Sequence, residues 1–301
     1  MFKWIALLLS CLLLTGCSSQ TTPEEAAVVE TQWPSSDAQV HTRQEMPLTD
    51  SAQAQAQQHP LLQFRHVILD EVSLYELYPT GARNAPLVIF FHEQGMHKDQ
   101  FMEIAVTYAQ AGYFCVLMDL PGYGERRTEQ TIQAVESVVM ATADVDLLLE
   151  YYRLSPLTDS RRFALFGVSM GGSVAYHYAA FGKKTPSLLL VCSTTADFNH
   201  LRHQGSITNG REGPVTWDEA AYDAYSQEHA PMNRMDRLGA VPVFAVHGEL
   251  DAVVPATLAH NLADALAPYG NARFLFVEQA GHEATKYLLP HMGALLNQYL
   301  K

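Results

Sequence analysis

Apolar runs alternate with helical patterns over most of this chain, and this alternation restricts its fold more than any other feature. Short runs rich in Val, Leu, Ile and Phe occur at residues 86–91, 113–118, 162–168, 187–192, 241–246 and 272–277. Patterns with apolar residues three or four positions apart separate these runs, at residues 99–110, 135–152, 170–181, 256–267 and 283–300. Continuous apolar strands joined by amphipathic helices indicate a mostly parallel central sheet with helices on both faces. The sequence therefore predicts an α/β fold.

Two segments depart from this alternation within the predicted domain, residues 61–301. Strand-like runs at residues 64–70 and 72–78 open the domain and predict an antiparallel start to the sheet. The connection at residues 194–239 is long and rich in polar residues, with a helical stretch at residues 217–228. Loops of this length in a compact domain are usually functional or disordered. We expect this insertion to form a short lid over the carboxyl ends of the strands.

A serine stands between one predicted strand and the helix that follows it, in the sequence Gly167-Val168-Ser169-Met170-Gly171. A serine hydroxyl becomes an effective nucleophile when a sharp turn exposes it and a base lies beside it, and small flanking residues permit that turn. Open parallel sheets bind their ligands at the carboxyl ends of the strands, which is where this serine lies. Ser169 is therefore the candidate nucleophile.

The chain resembles the α/β-hydrolase superfamily over residues 61–301, because three motifs follow that superfamily's order of nucleophile, acid and histidine. Ser169 follows the strand that corresponds to the fifth strand of the superfamily fold. Asp251 lies in a turn after the strand at residues 241–246, and His282 comes just after the last strand. The resemblance implies an α/β-hydrolase fold in which His282 takes the proton of Ser169 and Asp251 orients the imidazole.

Two other carboxylates compete with Asp251 for the role of the acid. Glu249 lies two residues before Asp251 in the same turn. Asp197 follows the strand at residues 187–192, where some hydrolases place their acid. We favour Asp251 from its position in the turn.

The resemblance also implies an oxyanion hole made of backbone N–H groups. One belongs to Met170, and for the second, in the loop after the strand at residues 86–91, we favour Gln94. Glu93 departs from the superfamily pattern, in which glycine usually follows the histidine that ends this strand. Dienelactone-hydrolase-like members carry a glutamate at the matching place. Glu93 therefore either contacts the Ser169 hydroxyl or points to solvent.

Charge and residue spacing argue against several other classes of site. The net charge of −13 disfavours nucleic-acid binding, which needs basic patches. His92 and His97 are five positions apart and follow a strand, whereas the metalloprotease motif places two histidines four apart on a helix, so no metal site is predicted. Cys115 and Cys192 lie in apolar runs, and we expect buried thiols too far apart to form a disulfide.

The first 60 residues differ in character from the domain. Residues 1–16 carry a lysine at position 3, and an apolar run follows it. This pattern predicts a signal peptide. The apolar run is too short to span a bilayer comfortably as a helix. The sequence Leu-Thr-Gly-Cys that ends at Cys17 resembles the lipobox of bacterial lipoproteins. This resemblance implies that Cys17 carries acyl chains such as palmitate and anchors the protein to a membrane. An ordinary secretory signal is the alternative.

The resemblance to bacterial lipoproteins also implies a location for the protein. Ser18 follows the cysteine in place of an aspartate, which favours the outer membrane of a Gram-negative bacterium, with the domain facing the periplasm or the cell surface. Residues 17–60 are rich in Gln, Ala, Thr, Ser and Glu, and such a composition predicts a flexible tether. The alternative is an arm packed on the domain near Trp33.

These features together predict a serine hydrolase that cleaves carboxylic esters of modest size through an acyl-enzyme intermediate. Residues 119–126 and 167–172 also resemble small bacterial carboxylesterases. The same catalytic groups serve peptidases, amidases and thioesterases. A binding protein that kept the fold and lost turnover is an alternative of another class, for which Glu93 is the sequence hint. The expected partner is a small ester or acyl substrate, no cofactor is predicted, and the sequence leaves the oligomeric state open.

The predicted anchor can be tested in a Gram-negative host that expresses the full chain. Cys17→Ser removes the thiol that lipidation requires, so we expect this variant to lose radioactive palmitate incorporation and to leave the membrane fraction. Cys11→Ser, a change inside the predicted signal, is the matched control and should keep both. Palmitate incorporation that survives Cys17→Ser contradicts the prediction.

Overall fold

The computed structural model describes residues 41–301. The strands within that range are β1 (Arg43–Met46), β2 (Leu62–Leu69), β3 (Val72–Pro79), β4 (Ala85–Phe91), β5 (Phe114–Met118), β6 (Ile132–Gln133), β7 (Thr158–Val168), β8 (Leu188–Cys192), β9 (Ser206–Thr208), β10 (Arg211–Gly213), β11 (Val243–Gly248) and β12 (Ala272–Val277). The helices are α1 (Asp50–Gln58), α2 (Met102–Gln110), α3 (Ala134–Tyr152), α4 (Met170–Phe181), α5 (Phe198–Leu201), α6 (Glu219–His229), α7 (Met235–Leu238), α8 (Ala256–Leu266) and α9 (Thr285–Leu300).

Nine of these strands form one sheet in the order β1-β2-β3-β5-β4-β7-β8-β11-β12. The pairs from β5 to β12 are parallel, whereas β1, β2 and β3 join antiparallel at one side. The mostly parallel sheet and its antiparallel opening confirm the prediction from the apolar runs. Because the parallel strands all end at one edge, the loops that follow them meet there.

Two hydrophobic cores cover the two faces of the sheet. In β4, Leu87, Ile89 and Phe91 face one core and Val88 and Phe90 face the other, as the alternation of side chains along a strand requires. Helices α3, α4 and α8 pack on the first face, while α2 and α9 pack on the second. A strand buried on both faces must be apolar throughout, which explains why these runs stand out in the sequence.

The structure corrects the predicted boundary of the domain. The tether predicted for residues 17–60 is wrong in its last part, since β1 pairs antiparallel with β2 and α1 follows it. Helix α1 buries Ala52 against the second core, and the Thr49 and Tyr75 hydroxyls at its start are hydrogen-bonded at 2.8 Å. The predicted signal peptide, Cys17 and the rest of the tether up to residue 40 lie outside the described residues.

A buried ion pair fastens β1 to the sheet. The Arg43 guanidinium donates a hydrogen bond to Glu76 Oε2 at 2.8 Å, and the Tyr152 hydroxyl donates to Glu76 Oε1 at 2.8 Å. Glu76 is only 3% exposed, and Arg43 only 8%. Burial disfavours the charged guanidinium, but the charge of Glu76 and the hydrogen bond and charge of Glu45 together outweigh burial and raise the pKa of Arg43. Strand β1 therefore supplies the cation, Arg43, that neutralises the buried carboxylate of Glu76.

The insertion, residues 194–239, contains α5, α6, α7 and a second, small sheet. Strands β10 and β9 pair antiparallel, and β9 also pairs with β6, which lies between β5 and α3 in the main domain. The Gln133 side chain of β6 donates a hydrogen bond to the Thr216 hydroxyl. Strand pairing therefore attaches the insertion to the first turn of α3.

The two cysteines of residues 41–301 form no disulfide. Cys115 and Cys192 are buried free thiols, on strands β5 and β8 that β4 and β7 separate, which confirms that they are unpaired. Within residues 41–301, no helix is both long and apolar enough to cross a membrane.

The Arg43–Glu76 pair predicts the stability of two variants. Arg43→Met leaves Glu76 buried without its cation, so we expect the free energy of unfolding to fall by about 3–5 kcal/mol. Arg65→Met is the matched control on the next strand, because Arg65 pairs with the exposed Glu45 at 2.8 Å and should contribute under about 1 kcal/mol. Urea denaturation followed by circular dichroism measures both. Equal losses in the two variants contradict the assigned role of β1.

Candidate active site

The turn between β7 and α4 holds Ser169 in a strained backbone conformation. Its φ of 53° and ψ of −122° lie outside the regions that non-glycine residues favour. The Ser169 N–H donates to the Cys192 carbonyl at 3.0 Å, and the Thr194 hydroxyl donates to the Ser169 carbonyl at 2.7 Å. These bonds to the end of β8 hold the turn and place the Ser169 side chain at the carboxyl edge of the sheet.

Glycines around Ser169 allow the backbone segments to pack closely. A Cβ on Gly167 would lie 2.2 Å from the Gly171 carbonyl oxygen, and a Cβ on Gly171 would lie 2.2 Å from the Phe91 carbonyl oxygen. A Cβ on Gly172 would lie 2.5 Å from Thr194 Cγ2. Any larger residue at these positions would force the turn away from the neighbouring strands. The small residues of the sequence motif are therefore required by packing on both sides of the turn.

Asp251 and His282 form a hydrogen-bonded pair at the same edge. Nδ1 of His282 lies 2.8 Å from Asp251 Oδ2, so that the proton on Nδ1 is donated to the carboxylate and Nε2 carries the free lone pair. The other oxygen, Asp251 Oδ1, accepts the N–H groups of Val253 and Val254 at 2.9 and 2.8 Å. Backbone donors thus fix the carboxylate, and the carboxylate fixes the imidazole.

The pair shifts the pKa of each partner toward its charged form. Burial opposes the charged imidazolium, but the hydrogen bond and charge of Asp251 outweigh it and raise the pKa of His282. Burial likewise opposes the carboxylate, but the His282 hydrogen bond and the two backbone N–H groups outweigh it and lower the pKa of Asp251. Asp251 is therefore ionised at neutral pH and stabilises a proton that His282 gains.

The competing carboxylates have other partners. Glu249 lies 3.1 Å from His260 Nε2, on the outer side of the turn. Asp197 caps α5, where its side chain accepts the Asn199 N–H at 2.9 Å. Of the three candidate acids, the structure brings Asp251 to His282.

Ser169 and His282 line one cavity of about 520 Å³. The cavity is lined by Glu93, Gln94, Ser169, His200, His203, Gln204, Glu212, Gly213, Val253 and His282. No hydrogen bond joins the Ser169 hydroxyl to His282 within residues 41–301, so the structure places the two groups at one cavity without linking them. Catalytic hydrogen bonds of this kind are often long without substrate and shorten when substrate binds.

The two predicted oxyanion donors lie at the ends of adjacent parallel strands. Met170 is the first residue of α4, and the first N–H groups of a helix have no partner within it. Gln94 follows β4 and lines the cavity, and its side-chain Nε2 donates to the Gln204 carbonyl at 2.8 Å. The side chain of Gln94 therefore contacts the insertion.

His92 links the loop after β4 to the loop after β5. Its Nδ1–H donates to the Glu93 carbonyl at 2.7 Å, and its Nε2 accepts the Leu120 N–H at 2.9 Å. Burial lowers the pKa of His92 to about 4, so the ring is neutral and can both donate and accept. In the sequence, the spacing of His92 and His97 bore only on a metal site and gave no signal of this linking role. Among residues 41–301, no three or more His, Cys, Asp or Glu side chains are grouped so that they could hold a metal ion.

Glu93 lines the cavity and is held by Gln100. The Gln100 amide donates to Glu93 Oε1 at 2.7 Å, and the Glu93 N–H donates to Gln100 Oε1 at 2.8 Å. Within the described part of the chain, Glu93 makes no hydrogen bond to Ser169. Its carboxylate thus borders the cavity, partly exposed, without a hydrogen bond to the serine hydroxyl.

Several cavity residues from the insertion were not predicted individually. His200, His203, Gln204, Glu212 and Gly213 all line the cavity, so the insertion lies over Ser169. The long polar connection indicated a cover, but no sequence pattern distinguished these residues from their neighbours. The fold of the insertion, set by pairing with β6, decides which side chains face inward.

A family model and several known proteins resemble this chain in sequence. The model of the family described as "Serine aminopeptidase, S33" matches residues 82–205. "Esterase YjfP" of Escherichia coli strain K12 is 25% identical over 230 residues, which cover 69% of this chain and 86% of that protein.

Solved structures resemble the fold. The Pyrococcus furiosus esterase Pf2001 covers 82% of this chain and 96% of its own, with a TM-score of 0.58 and 15% identity. A puromycin-hydrolyzing peptidase of Mycobacterium tuberculosis covers 79% of this chain and 39% of its own, with a TM-score of 0.63 and 19% identity. These similarities show that the chain has the α/β-hydrolase fold.

Proposed function

We propose that this protein is a serine hydrolase that cleaves carboxylic esters through an acyl-enzyme intermediate. The observation that carries the proposal is the strained Ser169 turn at the same cavity as the Asp251–His282 pair. Each group has the environment that its role requires. Ser169 lies on a tight turn at a strand end, His282 keeps Nε2 free, and Asp251 stays ionised.

The first half of the reaction acylates Ser169. Its Oγ attacks the carbonyl carbon of the ester while His282 Nε2 takes the hydroxyl proton, and Asp251 stabilises the imidazolium. The N–H groups of Met170 and Gln94 donate to the oxyanion of the tetrahedral intermediate. The C–O bond to the alcohol then breaks, and His282 returns the proton to the leaving oxygen.

The second half releases the acid. Water attacks the acyl-enzyme carbonyl while His282 accepts its proton, and the same two N–H groups stabilise the second oxyanion. Collapse of this intermediate returns the proton from His282 to Ser169 Oγ and frees the carboxylic acid. No cofactor enters either half-reaction.

Ester substrates are favoured by the relatives named as esterases in Escherichia coli and Pyrococcus furiosus. A peptidase or amidase is the second candidate, because the matching family model is described as a serine aminopeptidase and a peptidase shares the fold. A thioesterase would use the same groups. Their chemistry differs from ester cleavage in the leaving group, which is an amine or a thiol.

The envelope location predicted from Cys17 is part of the same proposal. The lipobox-like sequence before Cys17 supports it. A hydrolase held at the outer membrane would meet small substrates in the periplasm or at the cell surface.

The nucleophile is tested with a fluorophosphonate probe, which reacts with activated serines. We expect wild-type protein to be labelled and Ser169→Ala to lose both labelling and about 10⁴-fold or more of its p-nitrophenyl butyrate turnover. Ser173→Ala is the matched control on the same helix, because the Ser173 hydroxyl donates to the Thr195 carbonyl and lies outside the cavity lining. Equal labelling of wild type and Ser169→Ala would sink the proposal, as would an unlabelled wild type, which indicates a binding protein. Faster cleavage of aminoacyl p-nitroanilides than of esters selects the peptidase candidate.

The pH dependence of kcat/KM tests the Asp251–His282 pair. His282 must be neutral to accept a proton, so we expect kcat/KM to fall as pH drops through its pKa, which is raised above 6.5. Asp251→Asn removes the raising interaction while burial persists, so the acid limb should shift to lower pH and the plateau should fall by about 10⁴-fold. Glu249→Gln, a neutral change in the same turn, should leave both unchanged. An acid limb that does not move in Asp251→Asn contradicts the pairing.

A further inference from the structure

Two carboxylates at the Ser169 cavity form no salt bridge with a lysine or arginine of residues 41–301. Glu93 accepts its side-chain hydrogen bond from the neutral amide of Gln100. Glu212, on β10 of the insertion, lines the cavity, and no Lys or Arg of this range lines it. Burial lowers the pKa of the lining His200, whereas the charge of Glu93 contributes to the raised pKa of the lining His282.

Other carboxylates of the same protein do have partners. Asp119, after β5, accepts from Lys98 Nζ at 2.9 Å, and Asp144 accepts from the Arg126 guanidinium. These two carboxylates are buried or nearly so, whereas Glu93 is half-buried and Glu212 is exposed. The unpaired charges at the cavity are therefore left to interact with what enters it.

Ser169 gives an independent indication that a ligand enters here. Ser169 is only 5% exposed and lines the cavity. Its hydroxyl forms no hydrogen bond with another of the described residues. The hydroxyl oxygen is accessible from the cavity, where a bound molecule can reach it. The cavity thus combines an accessible nucleophile with two carboxylates that no lysine or arginine neutralises.

Glu212 lies close to the loop that carries Gln94. Its Oε1 is 3.0 Å from the point where a Cβ on Gly95 would stand, and Gly95 follows the proposed oxyanion donor Gln94. Gly95 has a φ of +75°, so glycine at this position meets both the backbone conformation and the approach of the carboxylate. The charge of Glu212 is therefore held against the loop at which the ester would bind.

We propose that the cavity selects esters that carry an ammonium group, with Glu212 and Glu93 as the residues that determine this specificity. A concave, partly enclosed site lined by one sign of charge focuses its field and attracts ligands of the opposite sign. An anionic ester meets two like charges and is disfavoured. This inference rests on the proposed esterase function and names the substrate class for that site.

The test uses pairs of esters that differ in charge and share one shape. Choline butyrate carries the ammonium group on the alcohol side of the ester, and 3,3-dimethylbutyl butyrate is its neutral isostere. The 4-nitrophenyl ester of 4-(trimethylammonio)butanoic acid carries the ammonium group on the acyl side, and that of 5,5-dimethylhexanoic acid is its neutral isostere. The measured quantity is the ratio of kcat/KM for the cationic ester to that for its neutral isostere, with the full chain as enzyme. We expect a ratio of about ten or more in at least one pair, decreasing as salt is added.

Two isosteric variants test whether Glu212 and Glu93 cause the higher kcat/KM for the cationic ester. Glu212→Gln and Glu93→Gln each remove one charge, and the amide oxygen at position 93 can still accept from Gln100. We expect each to lower the ratio by about threefold to tenfold, and the double variant to lower it further. Glu228→Gln is the matched control, since Glu228 is an exposed carboxylate of the same insertion that does not line this cavity. It should leave the ratio unchanged.

The outcomes separate this inference from the function on which it rests. Ser169-dependent turnover with a ratio near one in both pairs overturns the inference alone. A ratio above one that persists in the Glu212→Gln and Glu93→Gln double variant overturns the assignment to these residues. Absence of any Ser169-dependent turnover or probe labelling overturns the proposed function, and the inference with it.

Discussion

The close packing of the first turn of α4 against the end of β4 is the contact on which the candidate active site depends. At Gly171 the backbone comes so near to the Phe91 carbonyl that a methyl group would lie 2.2 Å from the oxygen. This approach sets the spacing between the turn that carries Ser169 and the loop that carries Gln94. A non-glycine residue with positive φ costs about 1–3 kcal/mol and persists only where its surroundings hold it. Here the bonds of Ser169 to the end of β8 hold it.

The residues at strand ends could be predicted from sequence because their positions follow from the sheet. Ser169 comes directly after one apolar run and His282 a few residues after another, and parallel strands bring such positions to one edge. The choice between Glu249 and Asp251 could not be made from spacing, because both lie in one turn. The structure separates them through backbone geometry, since the N–H groups of Val253 and of the next residue point to Asp251.

The N-terminal boundary of the domain could not be predicted because it depends on a contact distant in sequence. Strand β1 has the sequence Arg-Gln-Glu-Met, without the apolar alternation that indicates a half-buried strand. Its position is fixed by Arg43, which pairs with Glu76 across 33 residues of chain. The same limit applies to Glu212, whose location at the cavity follows from the pairing of β9 with β6. Long-range pairing leaves no local signal in composition or spacing.

The insertion connects access to the cavity with the charge inside it. Beside the cavity, Gln94 donates to the Gln204 carbonyl at 2.8 Å and the His200 ring donates to the Val253 carbonyl at 3.1 Å. One bond reaches the loop of the oxyanion donor and the other reaches the turn of Asp251. Each contributes about 0.5–1.5 kcal/mol net. The insertion is therefore bound to both catalytic loops as well as to β6. Because Glu212 lies on the same insertion, closure and the recognition of charge depend on one segment.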